Sequence, residues 1–187
     1  MRRRLALSAI VPAAFALLAS SPPGHAEPAP PEWSGPLHGL AVAVPKGWSS
    51  RLEEGPGARA VVLTCETETC KSTQESCTIT VPNSAIPGLP VPGAWLVAFT
   101  IGDEAEADIL EDAREGSEIT AGPETVWIGR QSWYAAETMA PYGWKSLYQA
   151  TTVVGGRFVK VRCSTCDRSD QRFDFARSLL SKVRLAR

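Results

Sequence analysis

Histidine is nearly absent from this chain. Of 187 residues two are histidine, and His25 falls in a leader expected to be removed, which leaves His38 beside a Pro-rich stretch. A Ser-His-Asp or Cys-His nucleophile needs a histidine held in a cleft by an orienting carboxylate, and nothing around His38 marks it that way. An excess of positive charge is also missing. The formal net charge is −1, and the part after Ala26 keeps 16 basic and 20 acidic residues, or −4. That balance excludes nucleic acid as the main partner, because binding phosphates needs net basic surface. There is no glycine-rich phosphate loop, no calcium-loop order, no internal repeat, no heptad pattern and no signature of a cofactor. Together these absences weigh against an enzyme. A paired-carboxylate hydrolase stays open, since any two acids can meet in a fold.

What is present begins with an export signal. Arg2, Arg3 and Arg4 precede an almost wholly apolar run from Leu5 to Ala19, and Gly24-His25-Ala26 places small residues at the −3 and −1 positions of a signal-peptidase site. The apolar run is about fifteen residues, short of the roughly 20 needed to span a bilayer, so cleavage after Ala26 is favoured over a permanent anchor. No cysteine follows the site, which disfavours a lipoprotein; Arg-Arg-x-Leu fits a twin-arginine leader as well as an ordinary secretory one. The expected organisation is a signal peptide over residues 1–26, a Pro-rich tail over 27–36 and a single α+β domain over 37–187, in the periplasm or secreted. No stable transmembrane anchor is expected after cleavage. Charge is uneven along the mature chain: Glu27–Glu137 carries 6 basic and 17 acidic residues, Thr138–Arg187 10 basic and 3 acidic. In a folded domain such halves either interleave or polarise the surface toward a partner.

Periodicity predicts short strands with two helices. Leu40–Pro45 reads as a strand entering a Pro-Lys-Gly-Trp turn. Arg59–Cys65 follows with Val61, Leu63 and Cys65 on one face, then Cys77–Val81 with Cys77, Ile79 and Val81 aligned. After a Pro/Gly loop at 82–93, Trp95–Ile101 reads as a strand. A helix is expected from Asp103 as N-cap to Gly116, rich in acids; that face is either solvated or a docking surface for a basic partner or weakly bound cation. A meander follows: Thr125–Ile128, Ser132–Met139, Trp144–Val154 and Arg157–Cys163, the last two joined by the hairpin signal Gly155-Gly156. A closing helix is predicted from about Asp170 to Val183, with Phe173, Phe175, Ala176, Leu179, Leu180 and Val183 on one arc of about 160°. The fold class is α+β, an antiparallel β-sheet packed against helices.

This order, with Pro45-Lys46-Gly47-Trp48 early and Phe-x-x-x-Leu-Leu-x-x-Val closing it from Phe175 to Val183, resembles the PsbP-like α/β/α sandwich proteins. These comprise photosystem extrinsic subunits and many bacterial exported relatives. The resemblance covers about Leu37 to Leu185 and rests on fold-keeping residues; the cysteines are not part of the pattern. It implies accessory, binding or assembly roles more than catalysis, and it transfers no site residues.

Five cysteines remain: Cys65, Cys70, Cys77, Cys163 and Cys166. In an oxidising compartment they are disulfide candidates. The expected pairing is one bond within Cys65, Cys70 and Cys77 and another between Cys163 and Cys166, leaving one thiol over. Cys163-Ser164-Thr165-Cys166 between a strand and a helix is also the setting of thiol–disulfide exchange, with Arg162 and Arg168 favouring a thiolate and Asp167 opposing it. Zinc is a third reading of the sulfurs, although only the second pair has the tight spacing of regular zinc sites.

Six tryptophans follow the leader. Trp48, Trp127 and Trp133 are expected in the core. Trp144 and Tyr142, in a hairpin loop, and Trp95, beside the Pro/Gly loop, are expected to be exposed and to form a binding patch. The reading that results is an exported, non-catalytic accessory or binding protein that contacts another exported or envelope protein or a small ligand. A thiol–disulfide protein using Cys163 and Cys166, and a metal-binding exported domain, are the alternatives.

Overall fold

The computed structural model describes residues 32–33, 37–85, 116–140 and 145–185. The leader, the strand expected at Trp95–Ile101 and the body of the helix expected from Asp103 lie outside them.

Ten strands and two helices form among the described residues. In chain order they are β1 (Glu32–Trp33), β2 (Leu40–Ala43), β3 (Trp48–Glu54), β4 (Ala58–Cys65), α1 (Glu68–Thr73), β5 (Ser76–Pro82), β6 (Glu118–Ile128), β7 (Gln131–Met139), β8 (Ser146–Val154), β9 (Arg157–Thr165), α2 (Asp174–Leu180) and β10 (Val183–Leu185). Two antiparallel meanders, β3-β4-β5 and β6-β7-β8-β9, join edge to edge where β5 pairs with β9, giving a seven-stranded sheet in the order β3-β4-β5-β9-β8-β7-β6. A smaller sheet, β1-β2-β10, stands beside it.

The architecture is thus mostly antiparallel sheet with little helix. Alternation decides which face is buried. Val61, Leu63, Ile79, Val81, Val159 and Val161 point to one side and are almost fully buried, in a single cluster with Leu37, Leu40 and Val42 from the β2 region, Phe173 just before α2, and Ala176, Leu179 and Leu180 from α2. Strands β7 and β8 bury both faces. Trp133 and Ala135 lie on the side of α2, while Ala136, Thr138, Leu147 and Val153 are buried on the other. The β8–β9 hairpin turns at Gly155 and Gly156, with φ of 58° and 72°, the left-handed pair a primed turn requires.

Four local expectations change. The closing helix is shorter than predicted, Asp174–Leu180, because Val183 leaves it to pair with Val42 in the small sheet, where its side chain is still buried. Strand β3 carries no readable alternation: it is a sheet edge whose Ser49, Ser50, Arg51, Glu53 and Glu54 are all exposed. The one-turn helix α1 interrupts the stretch between Cys65 and Cys77, too short for any period to reveal. Trp127 was expected in the core; it is 64% exposed, because Val126 and Ile128 take the inward positions of β6 and push their neighbour to the opposite side.

Candidate binding surface

The cysteines pair differently from the expected scheme. Cys65 bonds Cys70, within the predicted group, but Cys163 bonds Cys77 and Cys166 keeps a free, half-buried thiol. The reason is register. Cys77 and Cys163 are directly opposite on β5 and β9 with Cα atoms 4.0 Å apart, whereas β9 runs on through Thr165 and carries Cys166 beyond the strand end. There Cys166 donates its backbone N–H to Thr73 and its thiol meets Gln74. Nor does a helix start beside it, since α2 begins at Asp174. Asp167 instead organises a tight turn by accepting the Ser169 N–H and hydroxyl, and these bonds hold its carboxyl below the usual range.

The two disulfides have different surroundings. Cys77 and Cys163 lie in the apolar cluster, 1% and 0% exposed. Around Cys65 and Cys70 the setting is polar. The Thr67 hydroxyl lies 3.4 Å from the Cys65 sulfur and 2.9 Å from that of Cys70, and an oxygen of Glu75 falls within 4.8 Å of both sulfurs. Among the described residues this trio is the one grouping of metal-ligating side chains.

A second polar cluster sits at the far end of the sheet. Glu137 on β7 faces Tyr148 on β8 in register. The Glu137 carboxylate accepts from Arg172 at 2.9 Å through one oxygen and from Arg177 at 2.9 Å through the other. Arg177 also reaches Asp174 at 3.4 Å and lies over the Tyr148 ring, 5.6 Å from its centre; Arg172 lies over Phe173 at 5.4 Å. Burial raises the pKa of the Tyr148 hydroxyl, with Arg177 partly opposing it. The phenol therefore stays protonated at neutral pH.

Glu137, Tyr148 and Arg177 of this cluster form one wall of a cleft of about 140 Å³ whose other wall is β6, at Glu124, Val126 and Trp127. The pairing of β6 with β7 slips twice between Ile119 and Glu124, around Gly122. Gly122 is needed there: its φ is 76°, and a Cβ would stand 2.6 Å from the Ala135 carbonyl oxygen. A second cleft of about 500 Å³ shares Ile128 in its wall and runs between Arg130, Val153, Val154, Leu180 and Arg184. Trp127 stands exposed beside Ile128, which both clefts touch. The sequence offered a signal for this site in the alternation of Val126, Trp127 and Ile128, which places the tryptophan outward.

The predicted patch of Trp95, Tyr142 and Trp144 lies outside the described residues. His38 bonds the side chain of Asn83 at 3.2 Å. No helix among the described residues is long and apolar enough to cross a membrane.

The decisive comparison is with the solution structure of cyanobacterial PsbP (CyanoP) from Synechocystis sp. PCC 6803. It superposes with a TM-score of 0.54 over 89% of this chain and 98% of that one, at 20% identity. The fold is PsbP-like. A protein of Bacteroides thetaiotaomicron VPI-5482 is also similar, with a TM-score of 0.51 and 11% identity over 85% of this chain and 49% of that one. No family model matches the sequence, and no curated protein matches it either. The PsbP-like fold and the two disulfides are compatible with an exported protein.

Proposed function

We propose that this is an exported, non-catalytic accessory or binding protein that works by capturing another protein of its compartment with the surface around Trp127. The exposed Trp127, on the outer face of the strand whose inner face lines both clefts, carries this reading. Exposed tryptophans are among the side chains in which binding energy concentrates at protein interfaces. The 140 Å³ cleft is smaller than the roughly 300–1,000 Å³ typical of small-molecule sites and suits a partner's side chain, whereas the 500 Å³ cleft is of a size that also admits a small ligand. The paired Glu137 and Arg177 give the smaller cleft a charged, hydrogen-bonding wall. Cleavage after Ala26 and the mature domain over 37–187 belong to the same reading. So does the full α/β/α sandwich, an antiparallel sheet packed against helices.

A photo-reactive amino acid placed at position 127, and at the exposed Glu53 of the opposite sheet edge as control, tests the proposal in the native host. A discrete adduct at 127 and none at 53 supports it. Equal labelling at both positions, or none at 127, overturns it.

A further inference from the structure

Apart from the Trp127 surface, the polar setting of the Cys65–Cys70 bond calls for an account. A structural disulfide needs no carboxylate or aliphatic hydroxyl beside it, and the apolar cluster around Cys77–Cys163 contains neither. At the other corner three features converge. Backbone bonds from Glu75 N–H to the Cys70 carbonyl and from Cys65 N–H to the Glu75 carbonyl, each 3.2 Å, clamp Glu75 between the two cysteines. The Thr73 hydroxyl donates to the Glu75 carboxylate at 3.1 Å and orients it. The Thr67 hydroxyl sits against both sulfurs, where it can donate to thiolates.

We propose that Cys65, Cys70 and Glu75 form a redox-gated metal site, closed as a disulfide and, once reduced, holding one zinc-type divalent cation through two thiolates and a carboxylate. Zinc takes sulfur at about 2.3 Å and carboxylate oxygen at about 2.0–2.2 Å, so tetrahedral ligands stand about 3.5–3.8 Å apart. The three ligand atoms already lie within 4.8 Å of one another, and the two Cα atoms are 5.9 Å apart. Small side-chain rotations therefore reach the geometry. Thr73 and Thr67 supply the outer hydrogen bonds that fix ligands and stabilise thiolates. Two sulfurs and one oxygen select zinc over calcium or magnesium.

Opening the site consumes a dithiol. Its two thiols pass two electrons and two protons to the Cys65–Cys70 bond and become a disulfide, leaving two cysteine thiols. Binding Zn²⁺ then releases those two protons as the thiolates coordinate. Cys65 and Cys70 are 4% and 7% exposed, so the cation enters from the half-buried Glu75 side.

The test uses the purified protein with Cys166→Ser, which removes the free thiol. Oxidised protein is expected to take up no Zn²⁺, and protein reduced by a dithiol, then freed of it, one equivalent. Substituting Co²⁺ should give the thiolate charge-transfer and intense visible bands of a tetrahedral site. Glu75→Gln should weaken zinc at least about tenfold while leaving the disulfide able to form. Failure of the reduced protein to bind zinc, unchanged affinity in Glu75→Gln, or full binding in Cys65→Ser/Cys70→Ser overturns the proposal. Should that double variant not fold, X-ray absorption of the zinc-loaded Cys166→Ser protein decides, because a first shell without two sulfurs and an oxygen is incompatible with it.

Discussion

The centre of the seven-stranded sheet and its two ends are built from different chemistry. At the centre, Cys77–Cys163 joins β5 to β9 among side chains that are almost wholly apolar and out of solvent. At one end, Cys65–Cys70 lies among Thr67, Thr73 and Glu75; at the other, Glu137 is gripped by two arginines beside an exposed tryptophan. A bond inside an apolar core can do little except hold, since among the described residues no carboxylate or other metal-ligating side chain is grouped with it. Groups at the ends keep polar neighbours and a way out to solvent. The difference teaches where to look for stability and where for chemistry in a molecule that has cysteines in both places.

The sharpest way to break the contrast is to remove the central bond. Cys77 and Cys163 close a loop with a sequence separation of 86, and their joint replacement by alanine should lower stability by about 4–5 kcal/mol in denaturant titrations. A loss no greater than that of Cys65→Ala/Cys70→Ala would erase the distinction between centre and end. Glu137→Ala comes next, at about 2–3 kcal/mol, because it strips Arg172 of the carboxylate that neutralises it where the arginine is only 18% exposed. Cys65→Ala/Cys70→Ala should cost about 2 kcal/mol, as expected for a sequence separation of 5.

Smaller effects sharpen the comparison further. Burial raises the pKa of Glu75, with the Asp167 charge adding to it and the Thr73 hydrogen bond opposing. The folded chain therefore holds this proton more tightly than the unfolded chain, and stability falls as pH rises through the folded pKa. Glu75→Gln should accordingly be slightly more stable than the parent at about pH 8 and equal to it at about pH 3, where the parent carboxyl is protonated in both states. Midpoints of thermal unfolding at the two pH values decide; a variant that loses stability at the higher pH would reverse the assigned sign. Trp127→Ala should change stability by no more than about 0.5 kcal/mol, read by the same unfolding curves. A larger loss would move this residue from the binding surface into the core.

The strands that were legible in the sequence are those with one buried face. Val61, Leu63 and Cys65, and Cys77, Ile79 and Val81, alternate cleanly because only one side of β4 and β5 is deeply buried. Gly155-Gly156 announced the β8–β9 hairpin for a steric reason that needs no tertiary context. Edge strand β3 was not legible, because only Trp48 and Leu52 pack against the core and the residue between them on that face, Ser50, is exposed, so no alternating apolar pattern results. Val183 satisfies a helical arc and a strand register equally well, and only the presence of β2 decides between them. Cysteine connectivity followed the same rule: spacing favours Cys163 with Cys166, while cross-strand register brings Cys77 to Cys163. The proposed binding surface joins β6, β7, β8 and α2, so its assembly could not be read before the strand order was known.

The place of β5 in that order governs how the chain can be made. One edge of β5 is taken by β4 at once, but the other waits for residues 157–165, and until they arrive the sheet is two separate meanders with neither core complete. Under the proposed export by a secretory route, the chain would stay unfolded for most of its passage, as threading demands. Throughout that interval Cys77 is a thiol without its partner, with Cys65 and Cys70 a few residues behind it. Closure of Cys65 onto Cys70 is local and fast, and it withdraws from circulation the two thiols best placed to capture Cys77 wrongly. The short disulfide thereby guards the long one, and a chain lacking it should emerge with scrambled sulfur pairings that an isomerase must repair.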